Sequence, residues 1–308
     1  MTRPAAAESA GQKIVAGILR ATLKGVLKPG LRAGRPVPQQ RRWIDAVSRV
    51  TLVPRGVSFS PATVGSVPGE WVEPTAGRGD RVVLYLHGGA YCVGSPRTHR
   101  AITGNLALRC ADRVFAADYR MAPEHPFPAA VEDAVSAFIG LVEAGVPAGR
   151  IVLAGDSAGG GLSVATALRL RELGRPLPAA LALFSPWADL TPRPPGPAPA
   201  GETMITREMI NESAARYLAG RDPHEPLASP VFADLQGLPP VLIQVGTDEV
   251  LLGDSQGLHA RLQGAGVEST LQVYPRRWHV FQMHSGVLAD ADRALEEVAA
   301  FFGQQMAA

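Results

Sequence analysis

The middle of the chain alternates between short apolar runs and helical segments, and this alternation limits the fold more than any other feature of the sequence. Such a pattern specifies a mostly parallel sheet that is covered by helices on both faces. The length of 308 residues fits one domain of this α/β class. The predicted strands are 81–86, 113–117, 151–154, 179–184, 241–245 and 269–274, and the predicted helices are 129–144, 161–173, 255–264 and 290–302.

Two further kinds of structure are predicted before the alternating run begins. Residues 56–72 alternate β-forming residues with Gly and Pro, which favours antiparallel edge strands. An amphipathic helix is predicted over 10–27, ended by Pro29 and Gly30, and a second helix over 41–48. The apolar stripe of the first helix would pack on the protein or lie on a membrane surface, and packing is the ordinary role of such a stripe.

One Pro-rich segment interrupts the alternation. Residues 191–201 cannot form regular structure, and a helix is predicted at 207–218 before the sheet resumes. A linker between independent domains fits poorly, because strands follow it. We therefore predict one domain over residues 1–308, with a cap formed by about 1–50 and about 190–225.

Charge and cysteine content limit the partners and the compartment. The net charge of +2 is too small to indicate nucleic acid or an anionic membrane as the main partner, and no apolar run is long enough to cross a bilayer. Glu8 and Lys13 interrupt any signal-peptide core. The two cysteines, Cys92 and Cys110, provide neither a disulfide framework nor a zinc motif, so they are expected to be buried thiols. A cytoplasmic protein without integral membrane association is expected.

A short glycine-rich segment follows the predicted strand at 151–154. In Gly155-Asp156-Ser157-Ala158-Gly159, the serine has glycine two residues away on each side. This pattern is typical of a nucleophile elbow, a tight strand-to-helix turn that lifts the serine hydroxyl above the sheet. By itself the motif equally fits an ordinary tight turn, so its interpretation depends on partner residues.

Oxyanion donors are predicted at the end of the strand 81–86. There the sequence reads His87-Gly88-Gly89-Ala90, and consecutive glycines leave backbone N–H groups unobstructed. We predict an oxyanion hole formed by the N–H groups of Gly88, Gly89 and Ala158. His87 is expected to orient this loop.

Candidates for an acid and a base follow the last two strands. Asp248 comes after the strand 241–245 and is the predicted acid, with Glu249 and Asp254 as competitors. His279 comes after the last strand and is the predicted base, with His284 as its rival. Serine, aspartate and histidine, each after its own strand, give the chain order of an α/β-hydrolase triad.

Together these motifs resemble the hormone-sensitive-lipase family of α/β-hydrolase esterases, in its bacterial GDSAG branch. The similarity extends over about two-thirds of the chain, and Ala90 stands where many relatives have a third glycine. The matching segments are His87-Gly88-Gly89-Ala90-Tyr91, the run 118–128, the elbow at 155–160, Ser185-Pro186-Trp187, and Asp248 with His279. The run 118–128 would have a structural role beneath the site.

This resemblance implies an α/β-hydrolase fold with a helical cap and a carboxylesterase that acts on short-to-medium acyl esters through a serine acyl-enzyme. It implies no metal or organic cofactor and a homodimer formed through the last strand and terminal helix. Tyr91, Trp187 and Phe281 are candidates for the substrate pocket, although core packing explains them equally well. Lactone or amide hydrolysis and a non-catalytic receptor on the same fold stay open as alternatives.

Overall fold

The apolar runs of the sequence pair side by side in one sheet. A computed structural model describes residues 9–194 and 196–305 of the chain. Within them the sheet has eight strands in the order β1-β2-β4-β3-β5-β6-β7-β8. Their bounds are β1 Val57–Val64, β2 Val67–Pro74, β3 Val82–Leu86, β4 Arg113–Ala117, β5 Ile151–Asp156, β6 Ala180–Phe184, β7 Val241–Gly246 and β8 Ser269–Tyr274.

Most neighbouring strands are parallel, as the sequence predicts. β1 pairs with β2 and β2 pairs with β4 in antiparallel register, whereas every pair from β4 to β8 is parallel. The α/β class and the antiparallel edge are therefore confirmed. The central strands β3, β5 and β6 are buried along their whole length, which explains why they read as continuous apolar runs.

Helices cover both faces of the sheet. Leu162 and Leu258, from α6 and α8, belong to the core on one face, and Leu106 and Leu295, from α4 and α9, belong to the core on the other. The helices are α1 Ala10–Thr22, α2 Lys28–Leu31, α3 Val37–Ser48, α4 Arg100–Cys110, α5 Ala129–Glu143, α6 Ala158–Glu172, α7 Arg207–Leu218, α8 Leu252–Gly264 and α9 Ala289–Gln305.

The first helix does not end where the sequence predicts. A π-helical turn, Leu23–Leu27, joins α1 to α2, and Pro29 lies in the first turn of α2, where its missing N–H is tolerated. Gly30 is needed for packing, because a Cβ there would lie 1.8 Å from the Trp43 ring.

Parallel pairing places the functional loops at one edge of the sheet. The carboxyl ends of β3, β5, β7 and β8 lead into the loops that begin at His87, Ser157, Thr247 and Pro275. In open α/β sheets this edge is where ligands bind. The fold therefore brings together segments as distant in the sequence as those that begin at His87 and Pro275.

Candidate active site

Ser157 lies in a tight turn between β5 and α6. Its backbone has φ 53° and ψ −119°, a conformation that a residue with a side chain rarely adopts. Its amide donates to the Phe184 carbonyl at 2.8 Å, which fixes the turn against β6. A Cβ on Gly155 or Gly159 would lie 2.4 Å and 1.9 Å from backbone oxygens, so both glycines are required by close packing. This is the elbow geometry predicted from the sequence.

His279 pairs with Glu249. The His279 Nδ1 and the Glu249 Oε2 are 2.9 Å apart, and both side chains are buried. A carboxylate only accepts hydrogen bonds, so Nδ1 carries the proton and Nε2 is left to act as a base. The second carboxylate oxygen, Oε1, accepts from the Gly246 amide at 2.6 Å and the Ser185 hydroxyl at 2.9 Å. The carboxylate is thus held at both oxygens.

Asp248, the acid predicted from the sequence, does not contact His279. Its Oδ2 lies 2.7 Å from the Arg20 guanidinium of α1, and its side chain is 25% exposed. Arg20 also donates to the carbonyls of Gly201 and Arg276, at 2.8 Å and 2.5 Å. The predicted pairing of Asp248 with His279 is wrong, because the turn after β7 directs the next residue, Glu249, into the interior. Asp248 instead links this loop to the N-terminal helix.

Asp254, the other competitor for the acid, is also directed elsewhere. Its Oδ1 lies 2.6 Å from the Arg193 guanidinium, and its Oδ2 accepts from the amides of Ala188 and Asp189 at 3.2 Å. Burial raises the pKa of Asp254 to about 6, although Arg193 opposes the rise. This carboxylate fastens the Pro-rich segment to α8.

The backbone donors near Ser157 differ in one position from the prediction. The Gly88 amide donates to Asp156 Oδ1 at 3.0 Å and is therefore not available to a substrate. The amides of Gly89 and Ala90 have no hydrogen-bond acceptor among the described residues, and both residues line the cavity at Ser157. The amide of Ala158, at the first position of α6, has no acceptor there either. Among the described residues, the amides of this loop without an acceptor are therefore those of Gly89 and Ala90 and not that of Gly88.

Asp156 fixes the loop that contains these donors. Besides the Gly88 amide, it accepts from the Tyr85 hydroxyl at 2.6 Å, and its Oδ2 lies 3.4 Å from His99 Nε2. Burial acts to raise the pKa of Asp156, but His99, Tyr85 and the Gly88 amide together lower it. A Cβ at Gly88 would lie 2.1 Å from this carboxylate. The second residue of the elbow therefore sets the position of the oxyanion loop.

His87 contributes to the same loop and not to proton transfer. Burial lowers the pKa of His87 to about 3, so its imidazole is neutral near pH 7. Its ring stacks on Tyr119 with 4.3 Å between centroids, and the Tyr119 hydroxyl donates to the His87 carbonyl at 2.6 Å. Tyr119 belongs to the run 118–128, which supports the loop from below.

Ser157 and His279 open on one cavity of about 200 Å³. One wall comes from the N-terminal helices and the other from the segment that includes α7. The apolar lining residues of these two walls are Leu27, Leu31, Ile44, Val47, Met204, Ile205, Met209 and Ile210. The lining also includes Glu212 and Arg216, which pair at 2.5 Å. The site thus joins a serine and a histidine to a mainly aliphatic chamber.

Residues 83–283 match the family described as having the alpha/beta hydrolase fold. The crystal structure of an esterase from the bacterial hormone-sensitive lipase family superposes on this chain with a TM-score of 0.87. The two sequences are 37% identical, and the superposition covers 98% of this chain and 100% of the esterase chain. The chain belongs to the hormone-sensitive-lipase family of α/β-hydrolases.

Curated relatives are similar over most of their length. An acetyl-hydrolase of Streptomyces hygroscopicus is 47% identical over 241 residues, which is 78% of this chain and 80% of that protein. An esterase of Acinetobacter venetianus is 32% identical, covering 92% of this chain and 93% of that protein. Both the fold and the family predicted from the sequence motifs are therefore confirmed.

The three aromatic residues predicted to bind substrate lie in the core instead. Tyr91 stacks on Tyr217 with 3.8 Å between centroids, and the Trp187 indole donates to the Asp189 carbonyl at 2.8 Å. Phe281 is fully buried beside Tyr274. None of the three is among the described residues that line the cavity. The prediction of these residues as pocket walls is wrong, because their large apolar surfaces are buried by ring stacking and packing.

Aliphatic residues of the N-terminal helices and of the segment that includes α7 form the cavity walls that were predicted to be aromatic. Leu27 and Leu31 are four residues apart and Ile44 and Val47 three apart, so each pair lies on one helical face. This spacing is the sequence feature that could have indicated these wall residues. It does not show whether such a helical face covers a cavity or fills a core.

Metal ligation and thiol chemistry find no support in the described part of the chain. Among residues 9–194 and 196–305, no three His, Cys, Asp or Glu side chains are grouped so that they could hold a metal ion. Cys92 and Cys110 are free and buried. Burial raises their pKa values to about 11 and about 12, which keeps both thiols protonated near pH 7.

No helix in the described residues has the length and apolar character needed to span a bilayer.

Proposed function

We propose that this protein hydrolyses short-to-medium acyl esters through an acyl-enzyme on Ser157, with His279 as the base and Glu249 as the acid. Carboxylic ester hydrolysis is the reaction of its family, and the chain is a serine carboxylesterase. The observation that supports the site assignment most is the shared cavity: Ser157 in its elbow and His279, which pairs with the buried Glu249, line the same chamber.

The reaction follows from the roles of these atoms. His279 Nε2 takes the proton as the Ser157 oxygen attacks the ester carbonyl, and Glu249 stabilises the imidazolium that forms. The amides of Gly89, Ala90 and Ala158 would hold the oxyanion, and each such donor contributes on the order of a hundredfold in rate. His279 then returns the proton to the departing alcohol. Water hydrolyses the acyl-enzyme with the same base.

Two features support a small acyl group. The cavity is only about 200 Å³ and mainly aliphatic. The Streptomyces relative and a second relative, from Mycobacterium tuberculosis, are both named as acetyl-hydrolases.

A histidine in contact with a buried carboxylate also supports catalysis over ligand binding alone.

The two walls of the cavity support the proposed cap. The Gly34 amide donates to Glu212 Oε2 at 2.8 Å, and Arg20 donates to the Gly201 carbonyl at 2.8 Å. These contacts connect the N-terminal helices with the insertion that contains α7. We infer that they form one cap over Ser157, with boundaries near 1–50 and 190–225, of which residues 1–8 and 195 lie outside the part of the chain that the structure describes.

Two predictions from the sequence concern the cell and the assembly. A cytoplasmic location stays a prediction. So does the homodimer, for which β8 is suitably placed: it pairs with β7 on one side and is the last strand of the sheet in the described chain.

Organophosphate labelling and an ester series test the proposal. A p-nitrophenyl phosphonate should add one phosphonyl group to the peptide that contains Ser157, detected by mass, and should abolish esterase activity. With p-nitrophenyl esters of increasing length, kcat/KM should be greatest for short-to-medium acyl chains. The Ser157→Ala variant is the control and should remain unlabelled. Label on another residue would contradict the assignment of the nucleophile, and peak activity on long chains would contradict the proposed size.

The pH dependence of kcat/KM tests the His279–Glu249 pair. Burial acts to lower the pKa of His279, but the hydrogen bond and charge of Glu249 outweigh it and raise the pKa above the usual 6.5. Because the base must be neutral, activity should fall as the pH drops through this raised pKa. Glu249→Asp, with a shorter side chain, should move this acidic limb to lower pH. Rates measured by pH-stat would show both, and an acidic limb that stays in place would contradict the pairing.

A further inference from the structure

The small net charge of the chain conceals a strong asymmetry. Residues 9–55 have ten basic residues and a single acidic one, Asp45, which gives this segment a net charge of +9. Since the whole chain has a net charge of +2, the remainder is negative. The ten basic residues are Lys13, Arg20, Lys24, Lys28, Arg32, Arg35, Arg41, Arg42, Arg49 and Arg55.

Six of these ten basic side chains are exposed and form no ion pair. They are Lys13, Lys24, Arg32, Arg42, Arg49 and Arg55, and the absence of ion pairs refers to the residues that the structure describes. Arg20 and Arg41, by contrast, pair with acidic side chains of neighbouring loops. The unpaired charges therefore create a positive potential in the solvent around the N-terminal helices.

Large apolar side chains are exposed between these charges. On α1, Ala16 is buried against the protein, whereas Ile14 and Ile18 are 65% and 61% exposed. These two isoleucines are four residues apart, so they share the outer face of the helix, next to Lys13. After α3, Val50 and Leu52 are 80% and 66% exposed. What distinguishes these apolar side chains from other exposed ones is that unpaired basic side chains lie next to them in the sequence.

This surface adjoins the substrate cavity. Thr51 lies between Val50 and Leu52 and lines the cavity, as does the neighbouring Ser48. Val26 is 43% exposed, and the next residue, Leu27, is a wall of the same chamber. A substrate that reached this surface in an apolar phase would be beside the chamber that contains Ser157.

Two exposed segments carry this mixture of charges and apolar groups: Lys13, Ile14 and Ile18 on α1, and Arg49, Val50, Leu52 and Arg55 after α3. We propose that they act together as one surface, which we call the basic cap face, and that this surface docks the protein on an anionic lipid bilayer. Lysine and arginine are attracted to anionic headgroups, while the apolar side chains enter the boundary between headgroups and acyl chains. A purely electrostatic partner such as nucleic acid would explain the charges but not the exposed isoleucines and leucine. The binding is peripheral and does not depend on the proposed reaction.

Vesicle co-sedimentation with the full chain tests this proposal. The protein should bind phosphatidylcholine vesicles that contain one-third phosphatidylglycerol, bind pure phosphatidylcholine vesicles much more weakly, and lose affinity as salt is added. The double variant Arg49→Glu/Leu52→Ser should bind the anionic vesicles at least about tenfold more weakly. Lys13→Glu/Ile14→Ser tests the α1 half in the same way. All variants should retain the wild-type rate on dissolved p-nitrophenyl acetate, since none of these residues lines the cavity.

A matched control lies elsewhere on the chain. Leu173 is 45% exposed at the end of α6, and Arg175 is exposed two residues later. Arg175→Glu/Leu173→Ser makes the same chemical change outside the basic cap face and should bind vesicles like the wild type. Equal losses in the control and cap variants would overturn the proposal, as would no binding to anionic vesicles at low salt. Binding to double-stranded DNA in place of vesicles, or a dimer that Arg49→Glu/Leu52→Ser dissociates, would assign the surface to another partner and also overturn it.

Discussion

Replacing Ser157 with alanine is expected to lower kcat for p-nitrophenyl acetate by about 10⁶-fold while leaving the fold intact. The hydroxyl is the attacking atom in the proposed reaction, so its loss removes the covalent route completely. The oxyanion donors and the cavity remain and should keep a small residual rate above that in water. The rate is measured by release of p-nitrophenol, and folding by circular dichroism. Turnover near the wild-type level would show that another residue is the nucleophile.

A glycine at the same position separates chemistry from backbone strain. Ser157 adopts φ 53° and ψ −119°, which a side chain makes unfavourable by roughly 1–3 kcal/mol and glycine tolerates. Ser157→Gly should therefore be as inactive as Ser157→Ala but more stable, with a thermal midpoint higher by about 2 °C or more. A lower midpoint for the glycine variant than for the alanine variant would show that the elbow is not strained.

The strands were predictable from the sequence because β3, β5 and β6 are buried on both faces. Their residues must then be apolar without interruption, and the pattern is visible in the sequence alone. The helix α4 was missed for a related reason. It is buried on nearly all sides, so it shows no amphipathic stripe. Its buried Thr103 and Asn105 satisfy their polar groups by bonding to carbonyls one turn earlier in the chain.

The sequence predicted which loops contain the site residues, but it did not always predict which residue of the loop faces the site. The motif positions Ser157 and His279 are both found at the cavity, because chain order and strand ends determine their place. Which residue of a loop points inward depends on a turn of one or two residues, and the sequence does not determine it. Two errors are of this kind: the prediction that Asp248, and not Glu249, contacts His279, and the prediction that the Gly88 amide, and not that of Ala90, is free.

The residues that line the two cavity walls were the least predictable part of the site. The aromatic residues were assigned to the pocket because large apolar side chains often line pockets. Tyr91 instead stacks on Tyr217, and the two rings lie within the core. Whether a helix faces a chamber or a core depends on what lies opposite, which is a property of tertiary structure. The net charge is similarly uninformative about location, because a total of +2 does not reveal that residues 9–55 alone have a net charge of +9.

Paired amide substitutions at the two neighbouring carboxylates are expected to separate their roles by orders of magnitude. Glu249→Gln should lower kcat by about 10⁴-fold. The glutamine oxygen can still accept from the Gly246 amide and the Ser185 hydroxyl, so its NH₂ group would face His279 Nδ1. The imidazole would then carry its proton on Nε2 and could not accept one from Ser157. Steady-state rates on p-nitrophenyl acetate measure this loss.

Asp248→Asn is the matched control, one residue away and with the same chemical change. Its ion pair with Arg20 is partly exposed, so the substitution should cost at most about 1 kcal/mol of stability and change kcat less than tenfold. Arg20 would still donate to the carbonyls of Gly201 and Arg276 and keep α1 attached to these loops. The reverse outcome, a large loss for Asp248→Asn and a small one for Glu249→Gln, would restore Asp248 as the acid. That outcome would require the loop after β7 to rearrange when substrate binds, since Glu249 is the carboxylate that is hydrogen-bonded to the imidazole among the described residues.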